Sequence, residues 1–495
     1  MRSIKRFALV YVLFIFTTFA WAQRINITLL QINDLYELPP VAGGKEGGMA
    51  RVATLHNELL AQNPHTYFFL AGDAFSPSAL GTAVVDGKPL AGKQMVSVLN
   101  AIGVNYATFG NHEFDISESD FMSRLHESRT TWFSGNVRDK DGHPFEGVRQ
   151  NAVFLVEGED GAQVRVGVIG VTLNQTQKPW VQYLDYLQAA REQVQNMRSQ
   201  VDVLIALTHL AFEQDVNLAK EVPGIDLIMG GHEHENILVY RGPNHVAIAK
   251  ADSNMRSAYI HQLTFDTKTR KFEITSRLQR ITSDIPEDPD VAKLVQQWTD
   301  KGFAAFRKAG FEPTKVVANS PETLNGKETD TRNQSTNLTR LIADAMLHVA
   351  KGSDAAIYNS GSIRIDDELP PGPITQYDIL RVMPFGGKVE MAEMKGALVE
   401  RVLDAGVANR GRGGFLQTSN ITRSNDGKSW FIKGQTIDPA KVYHIAIGEF
   451  LMTGGERGIE FLTRQNPDVG KVEDEKDVRF AIIDEMQARW PVAKP

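Results

Sequence analysis

The 495-residue chain contains no cysteine. That absence excludes disulfide bonds, thiolate metal ligands and lipid attachment through a thiol. Any metal must therefore be held by Asp, Asn, His or Tyr. A basic excess is missing too: 53 Lys and Arg stand against 60 Asp and Glu, a formal net charge of −7. This balance speaks against a surface for a nucleic acid polymer and limits a nucleotide partner to a small molecule. Beyond the first residues no run is apolar enough to span a bilayer, and the chain shows no internal repeat or low-complexity segment.

At the N-terminus, Arg2, Lys5 and Arg6 precede an apolar run from Phe7 to Ala20 and the small-x-small stretch Ala20-Trp21-Ala22. This order reads as a secretory signal peptide over residues 1–22, cleaved after Ala22. A retained anchor would need about 20 apolar residues, more than this run offers. The mature protein is expected to be exported, periplasmic or secreted, with no membrane segment.

The length is too great for one core, so two domains are expected. From Ile25 to about Asp266, short apolar runs alternate with helical patterns, the grammar of an α/β layered domain over 23–285. Ile25, Ile27 and Leu29 alternate with Asn26 and Thr28 in a first strand, and a helix is predicted at about Met49–Leu60 with Val52, Leu55 and Leu59 on one face. A polar, Pro-containing stretch near 283–290 leads into an amphipathic helix carrying Val291, Leu294, Val295, Trp298 and Phe306, read as a linker over 286–310. The remainder, 311–495, has a helix at Asn337–Val349 and then loops rich in Gly and Pro. Those loops bring backbone close to a ligand and present Phe385, Phe415 and Phe450 as flat stacking faces.

Chemistry concentrates where the apolar runs end. Asp34 follows Ile25–Ile32, Asp73 follows Tyr67–Ala71, Asn111 follows Tyr106–Phe109, His209 follows Val201–Thr208, and His232 and His234 follow Ile225–Met229. Strands that end together deliver such residues to one sheet edge. Two carboxylates, one amide oxygen and three imidazoles suit Zn, Mn, Co or Fe better than Ca or Mg alone. With one aspartate bridging, two divalent ions about 3.5–4 Å apart would supply a hydroxide and clamp an in-line phosphoryl displacement. His112 directly follows Asn111 and is expected to face the leaving group, with Asp115 holding its imidazole as a catalytic pair. His56, His65, His126 and His143 lack strand-end placement and are read as solvated.

These motifs, Asn33-Asp34, Gly72-Asp73, Gly110-Asn111-His112-Glu113, Thr208-His209 and Gly231-His232-Glu233-His234, resemble those of calcineurin-like metallophosphoesterases, specifically the secreted 5′-nucleotidase family. The resemblance runs from about Asn26 to Phe461. It implies a four-layer αββα catalytic domain joined by a helix to a smaller α+β substrate-binding domain that can rotate. One ion would be held by Asp34, Asp73 and His234, the other by Asp73, Asn111, His209 and His232. In the second domain the resemblance implies that Arg332, Asn359, Arg364 and Arg410 meet the phosphate or polar substrate groups, with Arg412 a further candidate. Phe385 and Phe450 would sandwich a base, and Glu456 stands where the family usually has an aspartate.

Two more departures are visible. Tyr36 occupies the place of an imidazole ligand, and Gln334 replaces one of two paired arginines. For Tyr36 two readings stand: a phenolate on ferric iron, or a packed side chain with another group completing the site. The implied reaction is hydrolysis of nucleoside 5′-monophosphates by a metal-bridging hydroxide. The alternatives on the same architecture are a nucleotide-sugar pyrophosphatase, a 2′,3′-cyclic phosphodiesterase, a thiosulfate-ester hydrolase, and a nucleotide-binding protein with little turnover.

Overall fold

The computed structural model describes residues 24–158 and 161–492, so the stretch 1–22 expected to be a signal peptide lies outside the described residues. Two six-stranded sheets face each other. In the first, the parallel strands Arg24–Ile32, Thr66–Ala71 and Tyr106–Thr108 run beside Thr131–Trp132 on one flank and the hairpin Ser257–Asp266 and Lys271–Arg280 on the other. In the second, Gln163–Thr172, Val203–His209, Leu227–Gly230 and Val246–Lys250 are parallel, flanked by the antiparallel edge strands Asn151–Glu157 and Ile237–Arg241.

Alternation along each strand explains the layering. Ile25, Ile27, Leu29, Phe69, Leu263 and Phe265 of the first sheet meet Val164, Val166, Val168, Ile205, Leu207 and Met229 of the second in one apolar layer. The residues between them point outward. Leu30, Ile32, Phe68 and Leu70 pack under helices Met49–Gln62 and Lys93–Ile102, while Ile169, Val171, Leu204 and Ala206 pack under helices Tyr186–Met197 and Phe212–Glu221. Central strands buried on both faces read as continuous apolar runs, which is why they were legible in the sequence. The result is the expected αββα stack.

The predicted linker helix spans Pro289–Lys308, with Asp288 capping it by accepting from the Asp290 and Val291 amides. It is no free strut. Val291, Val295 and Phe306 join the core beneath helix Met49–Gln62, and Phe303 meets the Tyr377 ring of the second domain at 4.8 Å. His56 departs from expectation: it is buried, its Nδ1 lies 2.9 Å from the Ile102 carbonyl oxygen, and its ring packs on Phe68 at 4.8 Å. Its spacing from Val52, Leu55 and Leu59 places it on the buried face of its helix, and that periodicity outweighs side-chain polarity.

The second domain is built on a five-stranded mixed sheet in the order Leu416–Ser419, Ala355–Asn359, Val442–Gly448, Lys388–Lys395, Val469–Asp477. Helices Asn337–Val349 and Val478–Arg489 cover one face, and Gly396–Ala408 the other. The Asn359–Arg364 loop leaves the end of one strand, the Phe450 segment leaves the end of its parallel neighbour, and Gly413–Phe415 enters the adjoining antiparallel strand. The glycine-rich loops thereby converge on one edge of this sheet, facing the catalytic domain.

Candidate active site

Asp34, Asp73 and His209 place their ligand atoms within 4.8 Å of one another, all buried. His209 Nε2 stands 3.2 Å from Asp73 Oδ2 and 3.9 Å from Asp34 Oδ1, and His234 Nε2 stands 3.4 Å from Asp34 Oδ1. The carboxylates and imidazoles reach each other because four of these residues adopt left-handed backbone: Asp34 at φ 55°, Asp73 at 59°, His232 at 90° and His234 at 62°. Non-glycine residues rarely adopt this conformation, and it persists where surrounding structure over-determines it. Close approach also requires glycine at two positions. A Cβ on Gly110 would collide with the Asp73 carboxylate, and one on Gly231 would come within 2.8 Å of His209 Nδ1.

The donors fit divalent cations. Both amide atoms of Asn111 are buried without a hydrogen-bond partner, an arrangement that costs free energy unless a ligand satisfies it. Two adjacent buried carboxylates also demand positive charge. Burial alone would lower the His209 pKa, but Asp73 and Asp34 outweigh it and push it up to about 9. Burial likewise opposes the charged form of Asp34, yet His209 and His234 hold its carboxyl far below the usual range. Cations at this position would take over that role.

Buried braces hold the loops. Glu113 accepts from the amides of Asp73 at 3.0 Å, Ala74 at 2.5 Å, Phe75 at 3.2 Å and Gly110 at 2.5 Å, tying two ligand loops together. Lys250 is buried between Asp215, at 2.8 Å, and Glu233, and donates to the carbonyls of Leu210 at 2.6 Å and Gly231 at 2.8 Å. It fixes the segments that carry His209 and His232. Gln31 donates to the Gly230 and Ala249 carbonyls, and Asn33 to that of Ala251, joining the two sheets beneath the site. Of these braces the sequence offered only Asn33 and the glutamates, as motif members without a role.

Tyr36 does more than pack. Its hydroxyl lies 3.1 Å from Asp34 Oδ1, 3.1 Å from Asp73 Oδ2 and 2.9 Å from His234 Nε2. Burial, with Asp73 and Asp34 beside it, raises the phenol pKa well above 10, so without a cation it is a neutral donor. Converting Tyr36→His is expected to tighten metal binding at this position by about 10-fold, since a neutral phenol is the weaker ligand; calorimetric titration with Mn²⁺ reads it. A visible charge-transfer band in iron-loaded protein that vanishes in Tyr36→Phe would instead establish phenolate ligation.

Beside this cluster, His112 Nδ1 lies 2.6 Å from Asp115 Oδ2, and both residues line a cleft of about 1020 Å³ between the domains. Asn111 and His232 line the same cleft. From the second domain come Arg332, Asn359, Arg364, Phe385, Phe450 and Glu456. Phe385 and Phe450 are about half exposed, at 52% and 47%. Asn359 donates to Glu456 at 2.9 Å, and the Arg364 guanidinium lies 5.8 Å from the Phe385 ring centroid. Arg410 is the exception: it is exposed, its guanidinium lies over Phe415 at 5.6 Å, and Arg412 lines the cleft in its place. The left-handed turn at Gly411, φ 81°, lies between the two and breaks the alternation that would otherwise set them on one face. Gln334 is bound to Asp330 and is not among the cleft-lining residues.

Paired sheets with carboxylate and imidazole donors at the strand ends define a metallophosphoesterase. The family description for calcineurin-like phosphoesterases matches residues 27–236, and that for the 5′-nucleotidase C-terminal domain matches 316–464. The chain belongs to the 5′-nucleotidase family of two-domain metallophosphoesterases. It is 26% identical to protein UshA of Yersinia enterocolitica over 88% of this chain and 87% of that protein, and 25% identical to a 5′-nucleotidase of Vibrio cholerae over 88% and 86%. The crystal structure of a 5′-nucleotidase precursor from Thermus thermophilus shares the fold, with a TM-score of 0.78 at 23% identity over 95% of this chain and 97% of that one.

Proposed function

We propose that this protein is an exported hydrolase that releases phosphate from nucleoside 5′-monophosphates. Its catalytic unit would span 23–285, its linker 286–310 and its nucleoside-binding domain 311–495. One observation carries the reading: a single cleft has Asn111, His232 and the His112–Asp115 pair on one wall, joined to the buried Asp34, Asp73 and His209 cluster through the His112 amide, and two half-exposed phenylalanines on the other. Asp34, Asp73, Asn111, His209, His232 and His234 would hold two divalent ions, which when bound supply charge neutralisation and an activated water. Arg364 and Arg332 would bind the phosphate, Asn359 and Glu456 the sugar, and Phe385 and Phe450 the base. His112, oriented by Asp115, would steady charge on the phosphoryl group or protonate the departing sugar oxygen.

The test is product analysis for AMP, UDP-glucose, 2′,3′-cyclic AMP and glycerol phosphate with Mn, Co, Zn or no metal, reading phosphate from the two monoesters, UMP and glucose 1-phosphate from UDP-glucose, and a ring-opened monophosphate from the cyclic ester. Metal-dependent turnover of AMP is expected to exceed that of the other esters. Phe385→Ala and Phe450→Ala should each weaken AMP recognition by roughly 1–3 kcal/mol, the worth of one base–aromatic stack, and leave KM for ringless glycerol phosphate unchanged. Preference for UDP-glucose or the cyclic ester would keep the site and reassign the substrate. Tight nucleotide binding without release from any ester would favour a binding protein.

A further inference from the structure

All residues read as metal ligands belong to the first domain, yet one of them takes its partner from the second. His234 Nε2 faces Tyr36 and Asp34, while its Nδ1 lies 2.7 Å from Asp366 Oδ2. An imidazole that offers Nε2 to a cation carries its proton on Nδ1, and a carboxylate accepting that proton fixes the ring and strengthens the ligand. Asp366 is buried and held: its Oδ1 accepts from the Glu328 amide at 2.7 Å, and the Ser253 hydroxyl donates to Oδ2 at 3.3 Å. Its backbone is left-handed, at φ 38°, two residues beyond Arg364 of the substrate cleft. One short loop of the second domain thus reaches both the substrate side and the rear of a metal ligand.

A second buried contact crosses the same boundary without touching His234. Glu37 accepts from the Tyr377 hydroxyl at 3.1 Å and lies 3.4 Å from Arg381 Nε. It provides an internal comparison for any effect of domain contact as such.

We propose that Asp366 is a positioning residue for the metal centre, so that the second domain completes the surroundings of His234 and sets how tightly the ion beside it is held. This rests on the metal-centre reading above. The full chain, stripped of metal, is titrated with Mn²⁺ by calorimetry. Wild type is expected to show two sites. Asp366→Ala should weaken one of them 10- to 100-fold, the range for loss of such a partner, and leave the other within about twofold. Asp366→Asn, which keeps an acceptor for Nδ1–H, should recover part of the loss, and Glu37→Gln should leave both sites near wild type. Unchanged affinity in Asp366→Ala overturns the proposal, and so does an equal loss in Glu37→Gln, which would assign the effect to loosened domains. A wild-type chain that binds no Mn²⁺ sinks the metal-centre reading itself, a separately recognisable result.

Discussion

Replacing His112 with alanine is expected to lower kcat for phosphate release by about 10²–10⁴, the usual worth of a positioned acid or base, equivalent to roughly 3–5 kcal/mol of transition-state stabilisation. The size follows from placement. The imidazole lines the cleft instead of joining the donor cluster, and Asp115 fixes it at 2.6 Å. Burial would raise the Asp115 pKa, but His112, Arg364 and Lys178 outweigh it and hold the carboxylate below its usual range, so Asp115 is a charged acceptor at neutral pH. Metal content should survive the substitution, because the link from position 112 to Asp73 is made by the backbone amide, at 2.8 Å. Alanine keeps that amide. Asp115→Asn should cost less than His112→Ala, since the ring remains and only its orientation loosens. Steady-state kinetics beside metal analysis decides: a fall in kcat that tracks lost metal would make His112 a structural member of the centre.

How much of this was readable beforehand depended on sequence distance. The strand-end residues Asp34, Asp73, Asn111 and His209 were legible because each terminates an apolar run, and parallel strands that share a sheet must end together. Helix Asn337–Val349 was legible from its apolar period and took the expected bounds. His56 was misread although its period placed it inward. The Lys271–Arg280 strand was not anticipated, although Phe272, Ile274 and Leu278 alternate with polar residues along it, because it lies beyond the strand-and-helix pattern that ends near Asp266 and its inward face is only half-buried at the sheet edge. Contacts such as Gln31 to Gly230, Lys250 to Asp215 and His234 to Asp366 join residues that no local pattern connects. Lys250 in particular stands in the apolar company of Ala247, Ile248 and Ala249, where a lone lysine reads as a strand terminus instead of a buried cation. The Arg410 and Arg412 exchange has the same origin: both flank one glycine, and only the turn decides which faces the cleft.

That buried lysine is the basis of the second large effect, on stability. Lys250→Met removes the only side-chain cation bonded to Asp215 and Glu233 among the described residues, leaving the two carboxyl groups with only the Thr208 hydroxyl and the Phe212 amide, and the carbonyls of Leu210 and Gly231 without the ammonium donor. Breaking a buried ion pair from one side typically costs about 3–5 kcal/mol, because the surviving charge stays desolvated. Across a domain of this size each kcal/mol shifts Tm by roughly 2–4 °C, so the first unfolding transition should fall by about 6–20 °C. Adding Asp215→Asn to Lys250→Met should recover part of the loss, since it discharges one stranded carboxylate; the coupling measured by the double-mutant cycle separates that term from lost packing. The metal centre should feel the change as well. Lys250 pins Gly231 directly before His232, Glu233 between the two histidines and Leu210 directly after His209, so the destabilised chain should also bind Mn²⁺ more weakly than wild type at temperatures where it is fully folded. Melting curves of metal-free and metal-loaded protein test both claims, and a Lys250→Met chain that melts within about 3 °C of wild type in both states, less than the shift expected from one broken pair, would show that the lysine is not what holds these loops.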